Sequence, residues 1–190
     1  FQPTSLIHSI AKLIAKVLSM RLATQLQDLI FPMQTTFQKG KCLHESNQYV
    51  QGCVRSLYRQ RKRALLFKLD IAKAFDSINW AYLLELMQKL GFPPRWRDWI
   101  ALMLSSASSS VLLNGEPGDH FWHMQGLRQG DPLYPLLFLI AIDPLHHLLA
   151  AASDLGVLAP LPGRGPSLRV SLYADDAVIF ANPSAQEVGK

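Results

Sequence analysis

The chain has little cysteine, little charge and no long apolar run, and each shortage removes a class of protein. Its two cysteines, Cys42 and Cys53, show no C-x-x-C spacing. That excludes a disulfide framework and a cysteine zinc site, and it fits reduced thiols inside a cell. Charged residues make up only 17% of the 190 positions, too few for a chain held open by self-repulsion, and an apolar share of 49% can bury one sizeable core. The longest apolar run, Leu133 to Ile142, is too short to cross a bilayer and ends at Asp143-Pro144. Lys12, Lys16 and Arg21 interrupt the first apolar stretch, so no secretory leader is legible. The expected protein is intracellular, in cytoplasm or nucleus, neither secreted nor membrane-spanning. An initial methionine is also lacking: the chain starts at Phe1 within a structured-looking segment and stops at Lys190. Both ends read as cuts in a longer protein.

What is present is a basic balance. Lys and Arg number 19 against 14 Asp and Glu, a formal net charge of +5. This suits a polyanionic partner, although a solvated Lys/Arg face has the same composition. The residues Arg59, Arg61, Lys62 and Arg63 concentrate that charge. They read either as a solvated helix end or as a contact for template phosphates.

Apolar spacing predicts a helix over Ser5 to Ile30, through Leu6, Ile10, Leu13/Ile14, Val17/Leu18, Leu22, Leu26 and Leu29, stopped by Pro32. A second helix is expected over Leu43 to Gln60, with Val50, Cys53, Val54 and Leu57 on one face. The run Ala64 to Ile71 reads as a buried strand. Asn79 caps a helix through Leu90, with Gly91 as its stop, and another helix starts at Pro93-Pro94. Ser110 to Asn114 and His120 to Gln125 form a hairpin, Gly126 to Pro132 a loop, and Leu133 to Ala151 an apolar helix disturbed at Pro135 and Pro144. After a Gly/Pro-rich connector, Leu168 to Tyr173 and Ala177 to Ala181 form a hairpin with carboxylates at its tip. The order implies an α+β fold with a small antiparallel sheet packed with helices.

Three aspartates stand out. Asp70, in LLFKLDIA, is set among residues expected to be buried, where an unpaired carboxylate is costly. It either caps a turn or meets a metal. Asp175 and Asp176 sit between two apolar strands, in a turn that is either merely tight or functional. Because neighbouring strand residues face opposite ways, one of the two would share a site with Asp70. Convergent carboxylates suit Mg²⁺, a hard cation with positions left for phosphates.

The segments LDIAKAFD (Leu69 to Asp76), GLRQGDPL (Gly126 to Leu133) and YADD (Tyr173 to Asp176) stand in the order and spacing of polymerase motifs A, B and C. With FQPTSLIHSIAKLIAKVLSMRL and QTTFQKGKCLHESNQ ahead of them, the chain resembles the reverse transcriptase domain of non-LTR retrotransposons (long interspersed elements). The resemblance implies a polymerase palm with part of the fingers: residues 1–63 as partial fingers and 64–190 as palm, one domain without its thumb. It implies an RNA-directed DNA polymerase working on an RNA template, a DNA primer and deoxynucleoside triphosphates. Endonuclease and thumb regions would belong to the missing parts of a polyprotein.

By the same resemblance, Asp70, Asp175 and Asp176 are catalytic and bind Mg²⁺, with Mn²⁺ as a substitute, and the Ile71 carbonyl completes the metal shell. Ile71, Ala72, Lys73 and Ala74 line the nucleotide, the last two through backbone amides that meet the triphosphate. Phe75 matches the steric gate that rejects a 2′-hydroxyl, though it is also an ordinary core residue type. Gln129 and Gly130 match the pair lying against the nucleotide, where glycine allows close approach. Trp80, Trp96 and Trp99 read as core more readily than as stacking platforms, and His146-His147 as a solvated or partly buried pair.

The sequence departs from the family pattern at three places. Gln2 replaces the arginine of an arginine-proline start, removing a charge-assisted contact to triphosphate. Met33 replaces an asparagine, and Tyr134 stands where serine is usual and would crowd the template. These changes motivate the alternative: an inactive relic keeping the palm fold and weak nucleic-acid affinity.

Overall fold

The computed structural model describes residues 9–31, 43–128, 130–158, 161, 170–173 and 176–182. Its secondary structure is α+β, with helices predominating over short antiparallel strands. The chain divides into two compact units, Phe1–Leu29 with Lys73–Ala141 and Ile30–Ala72 with Ile142–Lys190. This division follows packing and cuts across motif A.

In the first unit, α1 (Ser9–Leu29) buries Ala15, Leu18, Leu22 and Leu26. Ile10, Leu13, Ile14 and Val17, expected on the same stripe, are half to two-thirds exposed. A helix apolar on so much of its circumference cannot bury all of it against one neighbour. Asn79 caps α3 (Trp80–Lys89): its side chain accepts from Tyr82 N at 3.0 Å, and Gly91 takes φ +83° just beyond the end. Then α4 (Pro94–Ser105) opens on a proline, which suits the first turn because its missing N–H would have no partner there. Its Ile100 and Leu104, with Leu83 and Met87 of α3, are fully buried.

A ribbon follows. Asn114 and Gly115, at φ +53° and +87°, make a tight turn that pairs β3 (Leu112–Leu113) with β4 (Glu116–Pro117). Such positive-φ pairs match the twist of a hairpin. Further out, β2 (Ser108–Ser109) pairs with β5 (Phe121–Trp122). The paired segments start earlier and are shorter than Ser110 to Asn114 and His120 to Gln125, because the count from the turn leaves an extra residue between the two ladders. The unit closes on α5 (Tyr134–Ile142), buried along nearly its whole length.

The second unit holds α2 (Leu43–Arg59), β1 (Leu65–Asp70), α6 (Pro144–Asp154), β6 (Val170–Tyr173) and β7 (Asp176–Ala181). The sheet order is β1-β7-β6, antiparallel throughout. Strand alternation assigns the two faces. Val178 and Phe180 pack with Cys53, Leu57, Tyr49 and Val50 of α2. Ala177 and Ile179, with Val170 and Leu172, pack against Ile142, Leu145 and Leu149.

The strand β1 is not buried as expected. It is an edge strand, paired among the described residues only with β7, and Leu66, Phe67 and Leu69 are 41–47% exposed. The apolar helix expected over Leu133 to Ala151 is broken at Asp143, where Pro144 opens α6. Taken together, Tyr134–Asp154 is long and apolar enough to cross a membrane by length and composition alone. Its first half, however, is core: Leu136 to Ala141 are at most 7% exposed. Asp143 is itself buried and accepts from Phe31 N at 2.8 Å and faces His147 at 3.3 Å. His146 is buried and stacks on Phe31 at 4.6 Å, whereas His147 is exposed.

Candidate active site

The two strand motifs meet through register. Asp70, the last residue of β1, lies directly opposite Asp176, the first residue of β7. Opposed residues of an antiparallel pair project from the same face, with Cβ atoms roughly 4.5–5.5 Å apart. Two carboxylates therefore share one face at the end of the sheet. By alternation it is the face that carries Val178 and Phe180, the side on which α2 packs. Asp176 is part of the strand, not of the turn tip. Asp175 and Ala174 lie outside the described residues, as does Gln129.

Asp70 is exposed, so it is not the buried, desolvated carboxylate expected from its apolar neighbours. Like charges placed opposite each other on a sheet repel, and a lysine offsets this. Lys68, two residues before Asp70 and thus on the same face, puts its ammonium 3.1 Å from Asp176 Oδ1. Sequence reading overlooked Lys68, although its i−2 spacing from Asp70 already assigned it to that face. The donor set suits a divalent cation: two hard carboxylate oxygens on one exposed edge, the type Mg²⁺ prefers. Among the described residues, no three His, Cys, Asp or Glu side chains gather into a metal-holding group.

The remaining motif residues belong to the first unit from Lys73 onward, while Ile71 and Ala72 stay with β1. Ile71 is half-buried and Ala72 exposed. Lys73 takes φ +52°, and its carbonyl accepts from Ser77 N at 3.0 Å, closing a helical turn. Ala74 is buried; Phe75 is half-buried, with its ring stacked on Phe138 at 4.3 Å and 20°. Phe75 thus has the core contact that its residue type allowed for.

Backbone contacts tie the end of motif A to the start of motif B. Leu127 N donates to Phe75 O and Gly126 N to Ile78 O, both at 2.8 Å. Trp80 Nε1 donates to Gly126 O at 2.7 Å, which gives that tryptophan a structural task. Gly126 has φ +85°, and a Cβ there would come within 2.6 Å of Asp76 O. Only glycine fits. Gly130 is exposed at φ +90°.

Beyond the loop, buried Asp131 accepts from Leu133 N at 2.8 Å and starts α5. Its burial pushes the carboxyl pKa up, opposed by that backbone hydrogen bond and by Arg128 and Lys12. Arg128 donates to Ser106 O at 3.1 Å. Tyr134, expected to crowd a template, is instead a core side chain. It is 2% exposed, and burial pushes its hydroxyl up to about 12, with the Asp131 charge adding to the rise. Gln2 and Met33 lie outside the described residues.

Residues 1–188 match the family described as reverse transcriptase (RNA-dependent DNA polymerase). The chain is 30% identical over 183 residues to the transposon TX1 uncharacterized 149 kDa protein of Xenopus laevis, covering 95% of this chain and 14% of that protein. It is 27% identical over 176 residues to the retrovirus-related Pol polyprotein from the type-2 retrotransposable element R2DM of Drosophila melanogaster, covering 91% and 16%. A similar polyprotein from the type-1 element R2 of Popillia japonica is 24% identical over 157 residues. The chain thus spans about one-seventh of the length of the first two relatives.

Proposed function

The chain belongs to the reverse transcriptase family, among the non-LTR retrotransposon kind its motifs resemble, and on that premise we propose that it polymerises DNA on an RNA template. The observation that carries this reading is the register that sets Asp70 opposite Asp176, inside the motifs where the family keeps its carboxylates.

In this reading residues 1–63 are partial fingers and 64–190 the palm. Asp70, Asp175 and Asp176, with the Ile71 carbonyl, hold Mg²⁺ or Mn²⁺. Bound there, divalent cations would favour a 3′-hydroxyl as nucleophile and offset charge on departing pyrophosphate. The chain's own residues do the rest. Ala72 lines the nucleotide while the backbone amides of Lys73 and Ala74 face the triphosphate, and the left-handed φ of Lys73 is the kind of local twist that converges successive N–H groups on an anion. Phe75 sits beneath the sugar, and its stack on Phe138 holds the ring in one place, as a steric gate requires. Gln129 and Gly130 lie along the nucleotide, where Gly130 needs no room for a side chain.

RNA template, DNA primer and deoxynucleoside triphosphates are the partners, and thumb and endonuclease would come from elsewhere in a longer polyprotein. The buried α5 argues against a membrane-spanning role for that segment. The test is Mg²⁺-dependent extension of a DNA primer on RNA by the full element protein carrying this chain. Asp175→Asn should abolish extension while leaving the melting temperature within a degree or two; retained activity would overturn the assignment.

A further inference from the structure

From Ser46 to Leu69 the chain carries Arg55, Arg59, Arg61, Lys62, Arg63 and Lys68 and no acid. The five between Arg55 and Arg63 equal the formal net charge of the whole chain, +5. All five are exposed, and none of them forms an ion pair among the described residues. One cation in the last turn, Arg59, would suffice to answer the dipole of α2. Five like charges within nine residues, unpaired among the described residues, repel one another, a cost that ending a helix does not demand.

A second stripe of α2, beside its packed residues and with Arg55 and Arg59 exposed, adds form to this charge. Gly52, Arg55, Ser56, Arg59 and Gln60 follow one another at helical spacing and line a shallow concavity. A Cβ at Gly52 would meet nothing within 4 Å, so the floor there is open. Gln60 Nε2 bonds Ser56 Oγ at 2.9 Å, leaving polar groups between the two guanidinium groups. The adjoining stripe, through Cys53 and Leu57, is fixed on Val178 and Phe180, the side of the sheet to which Asp70 and Asp176 belong.

We propose that this face of α2, continued by Arg61, Lys62 and Arg63, binds the phosphate backbone of a nucleic-acid duplex, the primer–template hybrid. The inference rests on the polymerase reading above and adds to it a grip that reads no sequence. Guanidinium groups neutralise phosphates and release counterions, so affinity falls with salt in proportion to the number of phosphates contacted. Base identity does not enter.

The experiment is anisotropy titration of a labelled RNA–DNA hybrid by the full chain in EDTA, from 50 to 200 mM salt, so that the carboxylates take no part. Arg55→Ala with Arg59→Ala should weaken binding about tenfold and lower the salt slope by roughly 1.8, two contacts' worth. Arg55→Lys with Arg59→Lys should restore the slope, because a phosphate also accepts a point charge. Lys89→Ala, removing a cation paired with Glu85 at 2.8 Å, should change nothing. An unchanged slope in the alanine pair, an equal loss in Lys89→Ala, or no rescue by lysine would overturn the proposal. So would a loss confined to phosphatidylserine vesicles with hybrid binding intact. Because binding is read without turnover, its failure is separable from failure of Asp175→Asn to stop extension.

Discussion

The two compact units handle the same motif in opposite ways. The unit around α3, α4 and α5 surrounds the end of motif A and the start of motif B with core: Phe138, Leu137, Leu133 and Leu83 are at most 1% exposed. The unit around the three-stranded sheet leaves Asp70 on an edge strand whose apolar residues are nearly half exposed. The motif residues of the first unit are held by core packing, whereas Asp70 is held by strand pairing at the edge of its sheet. Damage to the first should therefore appear as lost stability, and damage to the second as lost chemistry in a protein that still folds.

The sharpest way to break that contrast is Asp70→Asn. Losing several kcal/mol of charge stabilisation implies a fall of about three orders of magnitude in primer extension, with little change in melting temperature because the side chain is exposed. A large stability loss would erase the distinction. The converse is Phe138→Ala, which removes a 1% exposed ring and its stack on Phe75. It should cost about 3–5 kcal/mol in urea unfolding.

Smaller in effect is His146, in the sheet unit. Burial, helped by the charge of His147, lowers its pKa from 6.5 to about 4. A folded state that holds the imidazole neutral is fully favoured above pH 6.5 and loses stability as pH falls toward 4. The loss should reach roughly 2 kcal/mol by pH 5. Urea midpoints at pH 7.5 and 5.0 measure it, and His146→Leu should flatten the difference. The smallest expected effect is Lys68→Ala. This exposed pair with Asp176 should contribute under about 1 kcal/mol, seen as a near-unchanged melting temperature at 150 mM salt.

Much of this was legible in the residues. Asn79 and Gly91 bracketed α3, Pro94 opened α4, and the final two apolar runs predicted a hairpin, because caps, prolines and strand runs act through near neighbours. The motif order was equally local and sufficed to place the chain in its family. Asp70 shows the limit: an apolar neighbourhood in sequence suggested burial, yet an edge position depends on which strand pairs where. Ile10, Leu13 and Ile14 show the same limit, because periodicity describes a helix's own faces and not which of them finds a neighbour.

The sequence by itself determined most of the helices and the final hairpin, the motif set and the residue types able to bind a divalent cation. Tertiary structure alone decided that Asp176 faces Asp70, that Lys68 neutralises one of them, that Tyr134 is core, and that Gly126 must be glycine because Asp76 O leaves no room. The physical reason is common to all four. Each depends on which distant segment comes to lie alongside, and that choice is made by burial and strand pairing over the whole unit, not by the local residues concerned.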